Sequence, residues 1–179
     1  MKYLFILVCM AVSTATYAQK TTSPEAVAQT SFFVELGGPA ILFSANLDKR
    51  FTKSKLGLGA RAGIGFVSGY GIVARDYNNN FDGRNESVLT VPLQLNYIFG
   101  KPNSVHSLEV GAGVTVASKK LNIFEDFDFE QGSNVFGTAS FMYRRLPKDG
   151  GFSWRLGFTP ILTKGYLQPF VGGSIGFNF

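Results

Sequence analysis

A chain of 179 residues is enough for one domain and leaves no room for several. Charged residues make up 16% of it, against about 25% in average soluble proteins, while 45% are hydrophobic, so a water-washed surface dense in Lys and Glu is excluded. The net charge is +5, but no run of Lys and Arg interleaved with aromatics is present, which excludes a nucleic-acid footprint.

Residues 1–18 read as a secretory signal peptide. Lys2 supplies the positive start, residues 3–12 the apolar core, and Thr16-Tyr17-Ala18 the small-x-small cleavage site. The apolar run falls short of the roughly 20 residues a spanning helix needs. The single cysteine, Cys9, lies inside this run, so the mature chain is expected to carry no disulfide. Ile6-Leu7-Val8 lacks the small residues that a lipoprotein cleavage site before Cys9 would require. Removal of the segment takes Lys2 with it and leaves 16 basic against 12 acidic residues. Residues 19–29 read as a polar, flexible mature N-terminus. Residues 30–179 read as one β-barrel domain.

From Thr30 onward the chain is a series of runs with period-two alternation, the signature of strands with two unlike faces. The first sets Phe32, Val34 and Leu36 against Phe33, Glu35 and Gly37. A short connection over residues 37–40 follows. The second sets Ile41, Phe43, Ala45 and Leu47 against Leu42, Ser44, Asn46, Asp48 and Arg50. The third sets Leu56, Leu58, Ala60, Ala62, Ile64 and Phe66 against Gly57, Gly59, Arg61, Gly63 and Gly65. Residues 69–87 read as a long polar loop.

The fourth run places Leu89, Val91, Leu93, Leu95, Tyr97 and Phe99 opposite Thr90, Pro92, Gln94 and Asn96. The fifth places Leu108, Val110, Ala112, Val114 and Val116 opposite Glu109, Gly111, Gly113 and Thr115. An acidic loop spans residues 121–134. The sixth run sets Val135, Ala139, Phe141 and Tyr143 against Thr138, Ser140, Met142 and Arg144. The seventh sets Phe152, Trp154, Leu156 and Phe158 against Ser153, Arg155, Gly157 and Thr159. Residues 163–169 lead into the last run, where Val171, Gly173, Ile175, Phe177 and Phe179 alternate with Gly172, Ser174, Gly176 and Asn178 up to the chain end.

Eight such runs, joined by alternating tight turns and longer loops, predict an all-β fold: an eight-stranded antiparallel up-and-down transmembrane β-barrel. Alternation alone does not say which face meets lipid, since a soluble lipocalin-like barrel alternates too. The polar faces are too small for a water-washed exterior. That of the third run is glycines and Arg61. A narrow eight-stranded lumen takes small side chains and a few paired charges. Aromatics gather at one end of the strands, among them Phe51, Tyr97, Phe99, Tyr143, Phe152 and Trp154, as in an interfacial girdle.

The alternating last strand ending in Phe177-Asn178-Phe179, the signal peptide and the Gly-rich run Gly57-Leu58-Gly59-Ala60-Arg61 resemble the small OmpA/OmpX-type outer-membrane barrels, the porin-like β-barrel domain group. The resemblance covers nearly the whole mature chain. It implies outer-membrane lipid as surroundings, a monomer, and a terminal segment (Ile175, Phe177 and Phe179) that the outer-membrane assembly machinery reads. That group has no single activity, so no catalytic residue is carried over.

The strongest constellation of ionisable groups is inward-facing: Glu35, Asp48, Arg50, Arg61, Glu109, Arg144 and Arg155. Unpaired buried charge is costly, so these are expected to pair across the lumen as a structural plug, with a gate or ion path as the alternative. A Ser–His hydrolase needs a histidine, and the single one, His106, falls in a turn at the aromatic-rich end. No cofactor or metal is expected. Residues 76–83 begin like a calcium loop but lack Gly at the sixth position and Glu at the twelfth, which is Ser87. Glu125, Asp126, Asp128 and Glu130, interleaved with phenylalanines, form a candidate loop surface for a cationic partner. The expected function is a structural or surface-binding barrel acting through its outer loops. A narrow channel is the alternative, and a lipid-modifying enzyme comes third.

Overall fold

The computed structural model describes residues 27–70, 73, 85–121, 133–147, 149–163 and 166–179. The ladder segments are β1 (Thr30–Gly37), β2 (Phe43–Arg50), β3 (Gly57–Tyr70), β4 (Asn85–Gly100), β5 (His106–Leu121), β6 (Ser133–Arg145), β7 (Gly151–Phe158), β8 (Ile161–Thr163), β9 (Tyr166–Gln168) and β10 (Val171–Asn178). All pairings are antiparallel. From β1 to β7 each segment pairs with the next, β8 pairs with β6 and β9, β10 pairs with β7 and β1, and the ring closes. Closure leaves no sheet edge for the lower wall to hide.

Ten segments make eight staves because two prolines interrupt the last two. Phe141 faces Phe158 and Gly137 faces Leu162 in one unbroken register. Val171 faces Phe158 and Ile161 faces Gln168 in another. Pro160 and Pro169 fall opposite each other between these pairs. Proline has no N–H to donate, so the ladder opens for one step without slipping. Hydrogen bonds from Ala139 N to Pro160 O (3.0 Å) and from Thr159 N to Phe170 O (2.7 Å) carry it across. The seventh and eighth staves therefore extend further than the alternation indicated, over residues read as a connection. The end of the chain is tied as well, since Thr30 and Phe179 exchange both backbone hydrogen bonds at 3.0 and 2.8 Å.

The large residues of each run face out and the small polar ones face in. Leu36 and Val171 are each 67% exposed, while Glu35 is 1% and Arg144 2% exposed. That is the reverse of a soluble protein and fits a wall surrounded by lipid. The pattern changes near the long-loop end. Outward residues become polar at Ser68, Ser87 and Ser118, and inward ones become apolar. Val67, Val88, Ala117, Leu121, Phe136 and Ile161 form a buried cluster there, with Ile41, Val73 and Phe170 against it. β3 and β4 accordingly run beyond the expected strand ends, to Tyr70 and from Asn85, into the stretch read as a loop.

The connection between β1 and β2 departs most from expectation. It is not an outer loop. Gly38–Ala40 form one turn of 3₁₀ helix whose three residues are all buried. Thr115 Oγ1 donates to the Pro39 carbonyl at 2.8 Å and Thr90 Oγ1 to the Ala40 carbonyl at 3.4 Å. The inward bend needs positive φ at Gly37 (70°) and Gly38 (73°), which glycine adopts freely. Ile41 also sits at φ 79°, a strained value for a β-branched residue. This kink reverses the faces at that point. Ile41, expected outside with Phe43, packs inward, and Leu42 faces out.

Candidate functional site

Beneath the Gly38–Ala40 turn, the seven ionisable residues singled out above meet inside the barrel. They form a single alternating line of charge. Arg50 pairs with Asp48. Asp48 pairs with Arg144 at 3.2 Å, and Arg144 with Glu109 at 2.5 Å. Glu109 pairs with Arg155 at 3.3 Å, Arg155 with Glu35 at 3.8 Å, and Glu35 with Arg61 at 3.4 Å. Each of the three carboxylates thus lies between two arginines, and an arginine ends the line on either side. All seven side chains are at most 4% exposed.

Period-two geometry explains how residues so far apart in sequence converge. Each occupies an inward position of its strand: Glu35 on β1, Asp48 and Arg50 on β2, Arg61 on β3, Glu109 on β5, Arg144 on β6 and Arg155 on β7. Glycines leave the space they need. A Cβ on Gly59, opposite Arg50 in the ladder, would overlap the Arg50 guanidinium.

The remaining strands contribute neutral partners that selection by charge alone passes over. From β4, Asn96 donates to Asp48 (3.3 Å) and Glu109 (3.4 Å) and accepts from Arg50. Gln94, also on β4, accepts from Arg61 and from Ser140 Oγ at 3.2 Å. From β10, Ser174 accepts from Arg155 Nε at 2.9 Å. Phe33 is the other addition. The Arg155 guanidinium carbon lies 3.6 Å from its ring centroid and that of Arg61 5.8 Å, so one inward aromatic serves two cations. Gln94, Asn96 and Phe33 all carry the inward parity in the sequence, and that parity was the available signal. All eight staves are therefore joined through one polar network, which is a geometry for holding a wall together and filling it.

Lys55 lies at the short-turn mouth. It is 3% exposed, and its ammonium donates to the carbonyls of Ser104 (2.5 Å) and Leu146 (3.3 Å). His106 is the first residue of β5 rather than a turn residue. It is exposed, and its Nδ1 lies 2.5 Å from the Tyr143 hydroxyl. Ile175, Phe177 and Phe179 point outward and are exposed. The candidate loop carboxylates Glu125, Asp126, Asp128 and Glu130, and the calcium-like stretch 76–83, lie outside the described residues. Among the described residues, no group of three His, Cys, Asp or Glu side chains could hold a metal ion.

No protein-family model and no curated protein matches the chain. Among solved structures, it resembles the crystal structure of the N-terminal β-barrel domain of Pseudomonas aeruginosa OprF. The TM-score is 0.56 at 16% identity, over 87% of this chain and 98% of that one. At that identity the likeness shows the fold. This chain shares with that domain a closed eight-stranded antiparallel barrel architecture.

Proposed function

We propose that this chain is a non-enzymatic outer-membrane barrel with a structural or surface-binding role exercised from its long-loop end, and that its lumen does not conduct. The observation that carries this reading is the filled interior. Seven linked charges occupy the lower lumen, the Gly38–Ala40 turn lies above them, and an apolar cluster fills the space above that. A pore needs a continuous polar path, and an apolar layer across the barrel opposes one. The long-loop end of the barrel then faces outward, with the short turns in the periplasm.

Reconstitution in planar lipid bilayers tests this. The wild-type protein is expected to give no discrete conductance steps in concentrated salt. Unitary steps would replace the reading with the narrow channel. The acidic residues Glu125, Asp126, Asp128 and Glu130 are the proposed contact for a cationic partner. Changing all four to Asn or Gln should reduce binding of such a partner to whole cells, and unchanged binding removes that loop from the proposal. The outward Ile175, Phe177 and Phe179 are proposed as the segment read by the assembly machinery. Phe179→Ala should lower the amount of barrel in the outer membrane while the inserted fraction melts normally.

A further inference from the structure

We infer that the outer wall at the short-turn end carries a site for the phosphate headgroup of a glycerophospholipid, built from Arg145, His106, Tyr143 and Trp154. The inference rests on the membrane reading above. His106 faces Arg145 across the β5–β6 ladder, and Arg145 faces Trp154 across β6–β7. These three side chains therefore share one row, with neighbouring Cβ atoms roughly 5 Å apart. Tyr143 stands two residues along β6 on the same outward face. Its hydroxyl meets His106 Nδ1 at 2.5 Å, and its ring lies 5.9 Å from the imidazole and 5.4 Å from the indole. Three rings make a continuous ledge with a guanidinium set into it.

Arg145 is held in place at one corner. Its Nη1 donates to the Phe152 carbonyl at 3.4 Å in an exposed contact. A guanidinium offers five N–H donors in a planar fork that matches a phosphate, so this one contact among the described residues leaves most of the fork for a ligand. The Tyr143 hydroxyl and the imidazole add polar atoms beside it. Along the wall toward the middle of the barrel, Phe141 and Phe158 face each other and are 55% and 40% exposed, which provides an apolar surface for acyl chains below a headgroup held by Arg145. Other parts of the rim lack this combination. The Tyr97 and Phe99 rings lie tilted at 4.5 Å, but both are uncharged. Lys49 is exposed on β2, yet its ladder neighbours are Thr30 and Ala60. Among the described residues, the Arg145 row is where a cation, two hydrogen-bonding rings and an indole meet at the edge of the apolar wall. The committed occupant is a phospholipid of the leaflet at the short-turn end.

The test uses the full mature chain refolded in a maltoside detergent and followed by native mass spectrometry. It is titrated with phosphatidylglycerol, with phosphatidylethanolamine, with lipid A and with a diacylglycerol of the same chains as the phospholipids. One phospholipid is expected to be retained and the diacylglycerol to be lost. Arg145→Gln should weaken retention about tenfold, the scale of one charge-assisted hydrogen bond. Trp154→Leu should also weaken it, and Lys49→Gln should leave it unchanged. Equal retention of diacylglycerol, no effect of Arg145→Gln, or an equal effect of Lys49→Gln overturns the site. Preference for lipid A over both phospholipids also overturns it, because that would put this rim in the other leaflet. Insertion into phospholipid vesicles separates the two levels of inference. A wild-type chain that fails to insert removes the membrane reading and the site with it. A chain that inserts without headgroup preference removes the site alone.

Discussion

Two regions of this barrel obey opposite rules. Below the level of Phe66 and Leu89 the interior is charged and the exterior apolar. Above it, Val67, Val88 and Phe136 fill the interior and Ser68, Ser87 and Ser118 face out. One continuous ladder crosses the change, since Phe66 pairs with Leu89, Val67 with Val88 and Ser68 with Ser87. The solvent is what differs. Lipid rewards apolar groups outside and leaves the lumen to polar groups that satisfy one another. Water rewards the reverse. The Gly38–Ala40 turn lies at the junction, with Glu35 on one side and, through Ile41, the apolar cluster on the other.

The largest expected effect is in the lower region. Glu109 is bound by both Arg144 and Arg155 and sits at the middle of the line of charge. Glu109→Ala removes the carboxylate between those two arginines and leaves like charges facing each other in a buried interior. Loss of one partner from a buried ionic cluster costs on the order of 3–5 kcal/mol. Urea unfolding in lipid vesicles should show that loss, and an unchanged midpoint would mean that the network does not support the wall.

The upper region should break by a different mechanism. Phe136 is 3% exposed within the apolar cluster. Phe136→Ala opens a cavity and should cost about 3 kcal/mol or somewhat more. Because no charge is stranded, the loss should be the same in low and high salt. A salt-dependent loss would show that the two regions are not energetically separate. At the junction, Gly38→Ala should cost about 1–3 kcal/mol, from the positive φ of 73° and from a Cβ placed 2.8 Å from the Glu35 carboxyl carbon. It should be read by the same unfolding measurement, and a neutral result would mean that the turn is free to leave the lumen.

The two rules also explain what the sequence revealed. In the lipid-embedded region, alternation is a direct record of which side each residue takes, so the strands, their faces and the seven charged positions were legible by parity. At the boundary the rule inverts, and the inversion puts two apolar residues side by side on each of β3 to β6: Phe66-Val67, Val88-Leu89, Val116-Ala117 and Val135-Phe136. Read with a single rule, such a pair looks like the end of a strand. By that rule β3 and β4 end at these pairs, and their outer ends read as loop. On the membrane reading, the pair marks the level at which lipid gives way to water. The inward turn at Gly38–Ala40 had no such local signal. Gly-Pro suits an outer hairpin equally well, and the side chains of Thr90 and Thr115, which bond it inside the barrel, are distant in sequence.

The smallest expected effect sharpens the comparison by placing the same chemistry in the other region. Lys119 and Glu86 form an ion pair at 2.8 Å above the boundary, on the end of the barrel that water reaches. The Lys119 side chain is 50% exposed and that of Glu86 is 22% exposed. An exposed pair gains little, because water screens the attraction and ordering two long side chains costs entropy. A double-mutant cycle with Lys119→Met and Glu86→Gln should therefore give a coupling of about 0.2–1 kcal/mol, reduced further by added salt. The 2.5 Å contact between Arg144 and Glu109 differs from this pair mainly in burial, so a cycle across those two residues should give a larger coupling that salt barely changes. If the two cycles returned similar couplings with similar salt dependence, water would have access to the lower lumen. The contrast between a dry charged interior and a water-bathed apolar cap would then fail, and the closed-lumen reading would fail with it.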